Sequence, residues 1–187
     1  MALSTLDTHT ALIVIDMQKG IVNLPCAHPM DGVIGHVAEL VRAFRRKQQP
    51  VVLVNVTGGA PGRNEQPPRS GDMPADWAEL IPELDRQPTD HTVSKRTWGA
   101  FMHTDLHDYL QQQGVTQVVI AGVATSIGVE STARQAFELG YNVSLVTDAM
   151  TDLSGDAHDN SVARIFPRLG ESGSTRDLID LLDRTHA

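Results

Sequence analysis

Three places in this chain set a chemically useful residue, or the lack of one, where it would reach a working edge. Asp16 ends the apolar run Ala11–Ile15. Lys95 follows the short β-branched run Thr92–Ser94. The segment from Gly122 to Arg134 follows a third apolar run, Val118–Ala121, and opens a helical pattern. A carboxyl group can give and take protons, and an ammonium can stabilise developing negative charge. A strand that runs into a helix N-terminus offers backbone N–H donors. Gly128 falls in this last segment and offers no side chain there.

These residues need elements to hold them. Four β-branched runs stand out, Ala11–Ile15, Val51–Val56, Val118–Ala121 and Val143–Val146, with a shorter one at Thr92–Ser94. Continuous apolar runs of this length suit strands buried on both faces of a parallel sheet. Between them lie helical patterns. Val33, Val37, Leu40, Val41 and Phe44 form one stripe over 33–46. Further helices are predicted over 105–113, ended by Gly114, over 129–139, ended by Gly140, and over 175–184. The alternation predicts an α/β doubly wound sheet, mostly parallel, with right-handed crossovers. Ligands then bind beyond the carboxyl ends of the strands. Asp16, Asn55 to Thr57, Lys95 and Val123 to Gly128 belong to that edge, and Asp148 is expected just after the fifth strand.

The chain has 187 residues, 41% hydrophobic and 20% charged, which suits one domain spanning 1–187. A net charge of −8 argues against nucleic acid and anionic membranes as partners. The single cysteine, Cys26, cannot build a disulfide framework. No apolar run approaches a membrane span, and the polar start carries no secretion signal, so a cytoplasmic protein is expected. The stretch 57–74, rich in Gly, Pro and charge, reads as a long excursion that covers a cleft or joins an interface.

Several motifs in order resemble the isochorismatase-like hydrolases, a family that includes nicotinamidases and N-carbamoyl amidohydrolases. They are Leu12-Ile13-Val14-Ile15-Asp16-Met17-Gln18, then Ser94 to Phe101 with Thr104-Asp105-Leu106, then Gly122-Val123-Ala124-Thr125 through Thr132-Ala133. Gly140-Tyr141, Asp148-Ala149 and His158 trail them. The resemblance covers nearly the whole chain. It implies a three-layer α/β/α fold, assembly as a homo-oligomer (dimer or larger), and an Asp–Lys–Cys triad. Asp16 matches the acid/base aspartate, Lys95 the lysine, and Gly128 the cysteine. It also implies a cis bond between Val123 and Ala124, with an oxyanion hole of N–H groups beside it. Trp98 and Phe101 are candidates to line the substrate pocket.

Glycine at 128 excludes an acyl-enzyme there. Members with glycine at this position resemble isochorismatases, which hydrolyse a vinyl ether, with Asp16 as the acid and Lys95 as its electrostatic partner on a small carboxylate-bearing substrate. Arg63, Arg69 and Arg96 are candidates for carboxylate recognition. Isochorismatases carry Tyr-Ala-His where this chain has Ala124-Thr125-Ser126, and a glutamine after the second strand where it has Asn55-Val56-Thr57. Two other readings stay open: a catalytically silent metabolite binder or assembly subunit, and an amide hydrolase using Ser126 or Ser131. No cofactor is expected. Metal-binding relatives carry Asp-x-His after the second strand, which is absent here, and His103, His107 and His158 read as ordinary surface or anchoring residues.

Overall fold

A computed structural model of the chain describes residues 3–65 and 73–186. Arg69 and part of the 57–74 excursion lie outside the described residues. Six strands form one sheet: β1 Thr10–Ile15, β2 Val51–Val56, β3 His91–Lys95, β4 Gln117–Val123, β5 Asn142–Thr151 and β6 Glu171–Gly173. Their spatial order is β3-β2-β1-β4-β5-β6, and every neighbouring pair is parallel. The helices are α1 Lys19–Val22, α2 Met30–Arg46, α3 Leu106–Gln112, α4 Glu130–Glu138, α5 Gly155–Asn160 and α6 Thr175–Thr185. A wider π-type turn, Thr125–Val129, leads into α4.

Alternate residues of each strand feed opposite layers. Leu12, Val14, Leu53, Val119 and Ala121 pack with Val37, Leu40 and Phe44 of α2 and with Leu178 and Leu182 of α6. Ala11, Ile13, Ile15, Val52, Val54, Val93, Val118 and Ile120 pack with Leu106 and Leu110 of α3 and with Ala133 and Ala136 of α4. The continuous apolar runs are therefore strands covered on both faces, giving three layers.

From β1 the chain winds outward to β3, then returns to lay β4 on the other side of β1. That reversal opens a crevice between the carboxyl ends of β1 and β4. Gly122 lets the two ends meet. Its φ is +115°, and a Cβ there would stand 2.1 Å from the Ile15 carbonyl oxygen. A register shift between Ile120 and Gly122 accompanies this close approach on the β5 side.

Some boundaries differ from the sequence reading. β5 does not stop at Val146 but runs to Thr151, so Asp148 lies inside it rather than after it. Its Oδ1 accepts hydrogen bonds from the Thr175 amide (2.7 Å) and hydroxyl (2.8 Å), tying α6 to the sheet. The edge strand β6 and the short α5 have too few apolar residues to signal themselves.

Gly122→Ala is expected to lose roughly 3 kcal/mol or more of unfolding free energy, because it adds left-handed strain to a backbone clash. Urea denaturation checks this, and a loss below about 1 kcal/mol contradicts the stated role of the close approach.

Candidate active site

Asp16 is the first residue beyond β1. Its N–H still donates to the Val54 carbonyl (2.9 Å), but its φ of +51° turns the chain out of the ladder. Asp tolerates this left-handed conformation better than most residues. Lys95 ends β3, two strands away. At about 4.8 Å per strand the gap is on the order of 10 Å, which a lysine stem and an aspartate span together. The Lys95 ammonium donates to Asp16 Oδ2 at 2.8 Å and to the Thr97 carbonyl at 3.2 Å. Their side chains are 1% and 8% exposed, so this is a buried ion pair.

Gly128 comes to the same point. A Cβ built on it would lie 3.3 Å from Asp16 Oδ2 and 2.9 Å from Ile15 Cγ2. The three positions singled out in the sequence thus converge. The Ile15 methyl also crowds the place of a side chain at 128, so any larger residue there needs Ile15 to shift.

Burial pushes the Asp16 carboxyl up to about 6, against the opposing pull of the Lys95 charge and hydrogen bond. Desolvation disfavours the carboxylate more than one ammonium restores it. Asp16 Oδ1 is buried and has no hydrogen-bond partner among the described residues. A carboxyl group with one bonded and one bare oxygen can hold a proton near neutral pH and present it.

Two further ties fix the distance from Lys95 to Gly128. Thr132 Oγ1 donates to the Gly128 carbonyl (2.7 Å) and accepts from the Ala100 amide (3.1 Å). Gln135 Oε1 accepts from the Phe101 amide (3.1 Å) and occupies the space that Gly99 leaves open. The loop after β3 is thereby pinned to α4. Phe101 sits in the core, 6.0 Å from the Tyr141 ring, while Trp98 is 64% exposed.

The Val123–Ala124 peptide bond is cis, and Val123 is buried at the end of β4. Two nearby donors are already engaged: the Ser126 N–H binds Asp152 Oδ2 (2.6 Å) and the Ile127 N–H binds the Ala124 carbonyl (3.1 Å). Among the described residues, no base is hydrogen-bonded to the hydroxyl of Ser126 or Ser131. Burial and the Asp152 charge push the Cys26 thiol up, opposite to what a nucleophilic cysteine requires. His158 bonds Thr125 Oγ1 through Nδ1 (2.8 Å), and His107 Nδ1 meets the Tyr141 hydroxyl (2.9 Å), so both are occupied in packing. Arg96 is exposed, with its guanidinium lying against Gly58, and Arg63 is exposed.

The model of the isochorismatase domain matches residues 10–177. The chain belongs to the isochorismatase family of hydrolases. It is similar to the uncharacterized isochorismatase family protein YwoC of Bacillus subtilis, 44% identical over 181 residues, 91% of this chain and 93% of that one. Nicotinamidase 3 of Arabidopsis thaliana is 30% identical over 169 residues, 83% of this chain and 79% of the relative. A solved isochorismatase family protein from Burkholderia thailandensis superposes with a TM-score of 0.93 at 38% identity, covering 97% of this chain and all of that chain. None of the described helices is long and apolar enough to cross a membrane.

Sequence reasoning gave no role to Gln18, Thr132 or Gln135. Gln18 lies inside the first motif, two residues after Asp16, and that spacing was its only signal.

Lys95→Met leaves Asp16 buried without its counter-charge, at a cost of about 3–5 kcal/mol when the carboxyl is ionised. The Asp16 carboxyl titrates higher folded than unfolded, so the folded state holds the extra proton and stability falls as pH rises through about 6. Without the ammonium that fall continues to higher pH. The deficit of Lys95→Met should therefore be large at pH 8 and shrink toward pH 5 in urea titrations. A deficit independent of pH contradicts the pairing.

Proposed function

We propose that this chain hydrolyses a small carboxylate-bearing vinyl ether without a covalent enzyme intermediate. Asp16 is the general acid and base, and Lys95 is its electrostatic partner. The observation that carries the reading is the Asp16 carboxyl, raised to about 6, with Oδ2 3.3 Å from where a side chain at Gly128 would begin. A site that keeps the acid and the cation but has no nucleophile suits a reaction whose difficult step is proton transfer.

In a 2-alkoxyacrylate, the Asp16 proton goes to the terminal methylene carbon. The double-bond electrons form that new C–H bond, leaving an oxocarbenium cation at the ether-bearing carbon. Water adds to this carbon and gives its proton to the Asp16 carboxylate. The resulting hemiketal expels the alcohol and leaves a 2-keto acid, so one water is consumed and Asp16 ends protonated. Lys95 explains how the proton stays on Asp16 in the complex. A protonated Asp16 leaves the buried ammonium without a counter-charge, and a substrate carboxylate supplies it. The proton and the anionic substrate therefore bind cooperatively. Arg96, exposed at the carboxyl edge just beyond Lys95, is the candidate for a second carboxylate. The protein acts as a single domain, as a homo-oligomer, on small molecules.

Amide hydrolysis, the chemistry in the name of the Arabidopsis nicotinamidase, suits this site less well. No side chain at 128 can form an acyl-enzyme, and among the described residues no base is bonded to the neighbouring serines. A catalytically silent binder remains the outcome if turnover is absent.

Asp16→Asn should bring turnover of 2-alkoxyacrylates down by at least 100-fold with the fold intact, the size of a lost general acid. In the wild type, kcat/KM should fall as pH rises through about 6, because the acid form is the protonated one. A rate that rises through that range, or an active Asp16→Asn protein, excludes the mechanism. Binding of the acrylate without turnover in the wild type assigns the protein to the silent class.

A further inference from the structure

Gln18 is fully buried, although it lies beyond the last residue of β1, where its extended backbone makes an isolated antiparallel bridge to Leu80 just before α1. Its side chain uses both ends. Oε1 accepts from the Val56 amide at 2.7 Å, and Nε2 donates to the Val56 carbonyl at 3.1 Å and to the Trp77 carbonyl at 3.1 Å. Its backbone N–H donates to the Asp16 carbonyl at 2.8 Å.

β1 pairs with β2 as far as Ile15 opposite Val54, and then Asp16 turns away. The Gln18 carboxamide takes the next place on β2. It offers one acceptor and one donor to Val56, as a backbone peptide would. Val56 in turn stands opposite Lys95 in the β2–β3 ladder, and the Lys95 ammonium returns to Asp16. The contacts close a ring running from Asp16 to Gln18, Val56, Lys95 and back. Asp16 is thus held on the backbone by Gln18 and at the carboxyl by Lys95, with one strand linking the two holders.

From this ring we infer that Gln18 is a positioning residue. Its amide acts as a substitute rung of the sheet that keeps the Asp16 turn in register with Lys95, and so keeps the carboxyl buried and aimed at Gly128. The segment around Trp77 is drawn onto the same amide. That segment is also bound to residues 17–20 by the Lys19 and Gly20 amides, which donate to the Glu79 and Trp77 carbonyls, and by Lys19 ion pairs to Asp76 (3.2 Å) and Glu79 (2.6 Å). The ion pairs are exposed and do not enter the ring. The inference takes its catalytic meaning from the acid role proposed for Asp16, but its geometry stands without a substrate.

The test reads the Asp16 carboxyl directly by carbon NMR titration of the ligand-free protein, with Asp16→Asn to assign the signal. Burial is the dominant cause of the raised carboxyl, and Lys95 is the charged group facing it. Freeing the turn lets water reach the group. Gln18→Met, and Gln18→Glu as a second variant of the same length, should move the Asp16 midpoint by half a pH unit or more, toward the ordinary carboxylate range in the Met protein. Lys19→Ala removes the exposed ion pairs alone and should leave it unmoved. An unchanged midpoint in a folded Gln18 variant overturns the inference, as does an equal shift in Lys19→Ala. In the wild type, the Val56 amide should exchange with solvent as slowly as the amides of β2 within the ladder. Exchange at open-loop rates overturns the inference even if neither Gln18 variant folds. A wild-type midpoint far from 6, with the Gln18 shift still present, removes the acid reading and leaves the positioning role standing.

Discussion

One buried ion pair sets the terms for the rest of this molecule. Placing Asp16 and Lys95 out of water is costly, and each is tolerated only because the other is 2.8 Å away. The two come from strands separated by β2, so the pair exists only if β1, β2 and β3 hold their register. Ile15 opposite Val54 and Val56 opposite Lys95 fix the alignment. The close passage of Gly122 over Ile15 brings β4 and the turn bearing Gly128 to the same spot. Sheet order, one glycine and one glutamine amide all converge on a single carboxyl group.

The electrostatics give that carboxyl its use. A paired aspartate at the surface would titrate low and serve as a base. Here desolvation outweighs the lysine, and the group is raised to about 6. Protonated, it leaves the buried Lys95 ammonium without a counter-charge and the site with a net positive charge. A nucleophile at 128 would make the pair a device for activating that nucleophile. With glycine there, the Ile15 methyl closes part of the space and the pair has no side chain at 128 to activate.

Much of this was legible in the sequence. The runs of Val and Ile that read as strands are strands, because both faces of the sheet are covered and no alternation is needed. Asp16, Lys95 and Gly128 meet because each lies at or just beyond the carboxyl end of a strand that faces one crevice. What could not be read depended on contacts without periodicity. The end of β5 is polar, so Asp148 looked like a loop residue although it is a strand residue holding α6. Gln18 had no role beyond its place in the first motif, because nothing local says that a side-chain amide will complete a strand. Phe101 is aromatic beside a site lysine, and only packing shows it within the core against Tyr141.

The central claim is that Asp16 delivers a proton to carbon, and the fate of solvent hydrogen tests it most directly. A 2-alkoxyacrylate turned over in heavy water should yield a 2-keto acid with one deuteron in its new methyl group, at early times before exchange, and the enzyme mass should stay unmodified throughout. Release of the acid with no deuterium on carbon, or a trapped acyl adduct on the protein, contradicts the account.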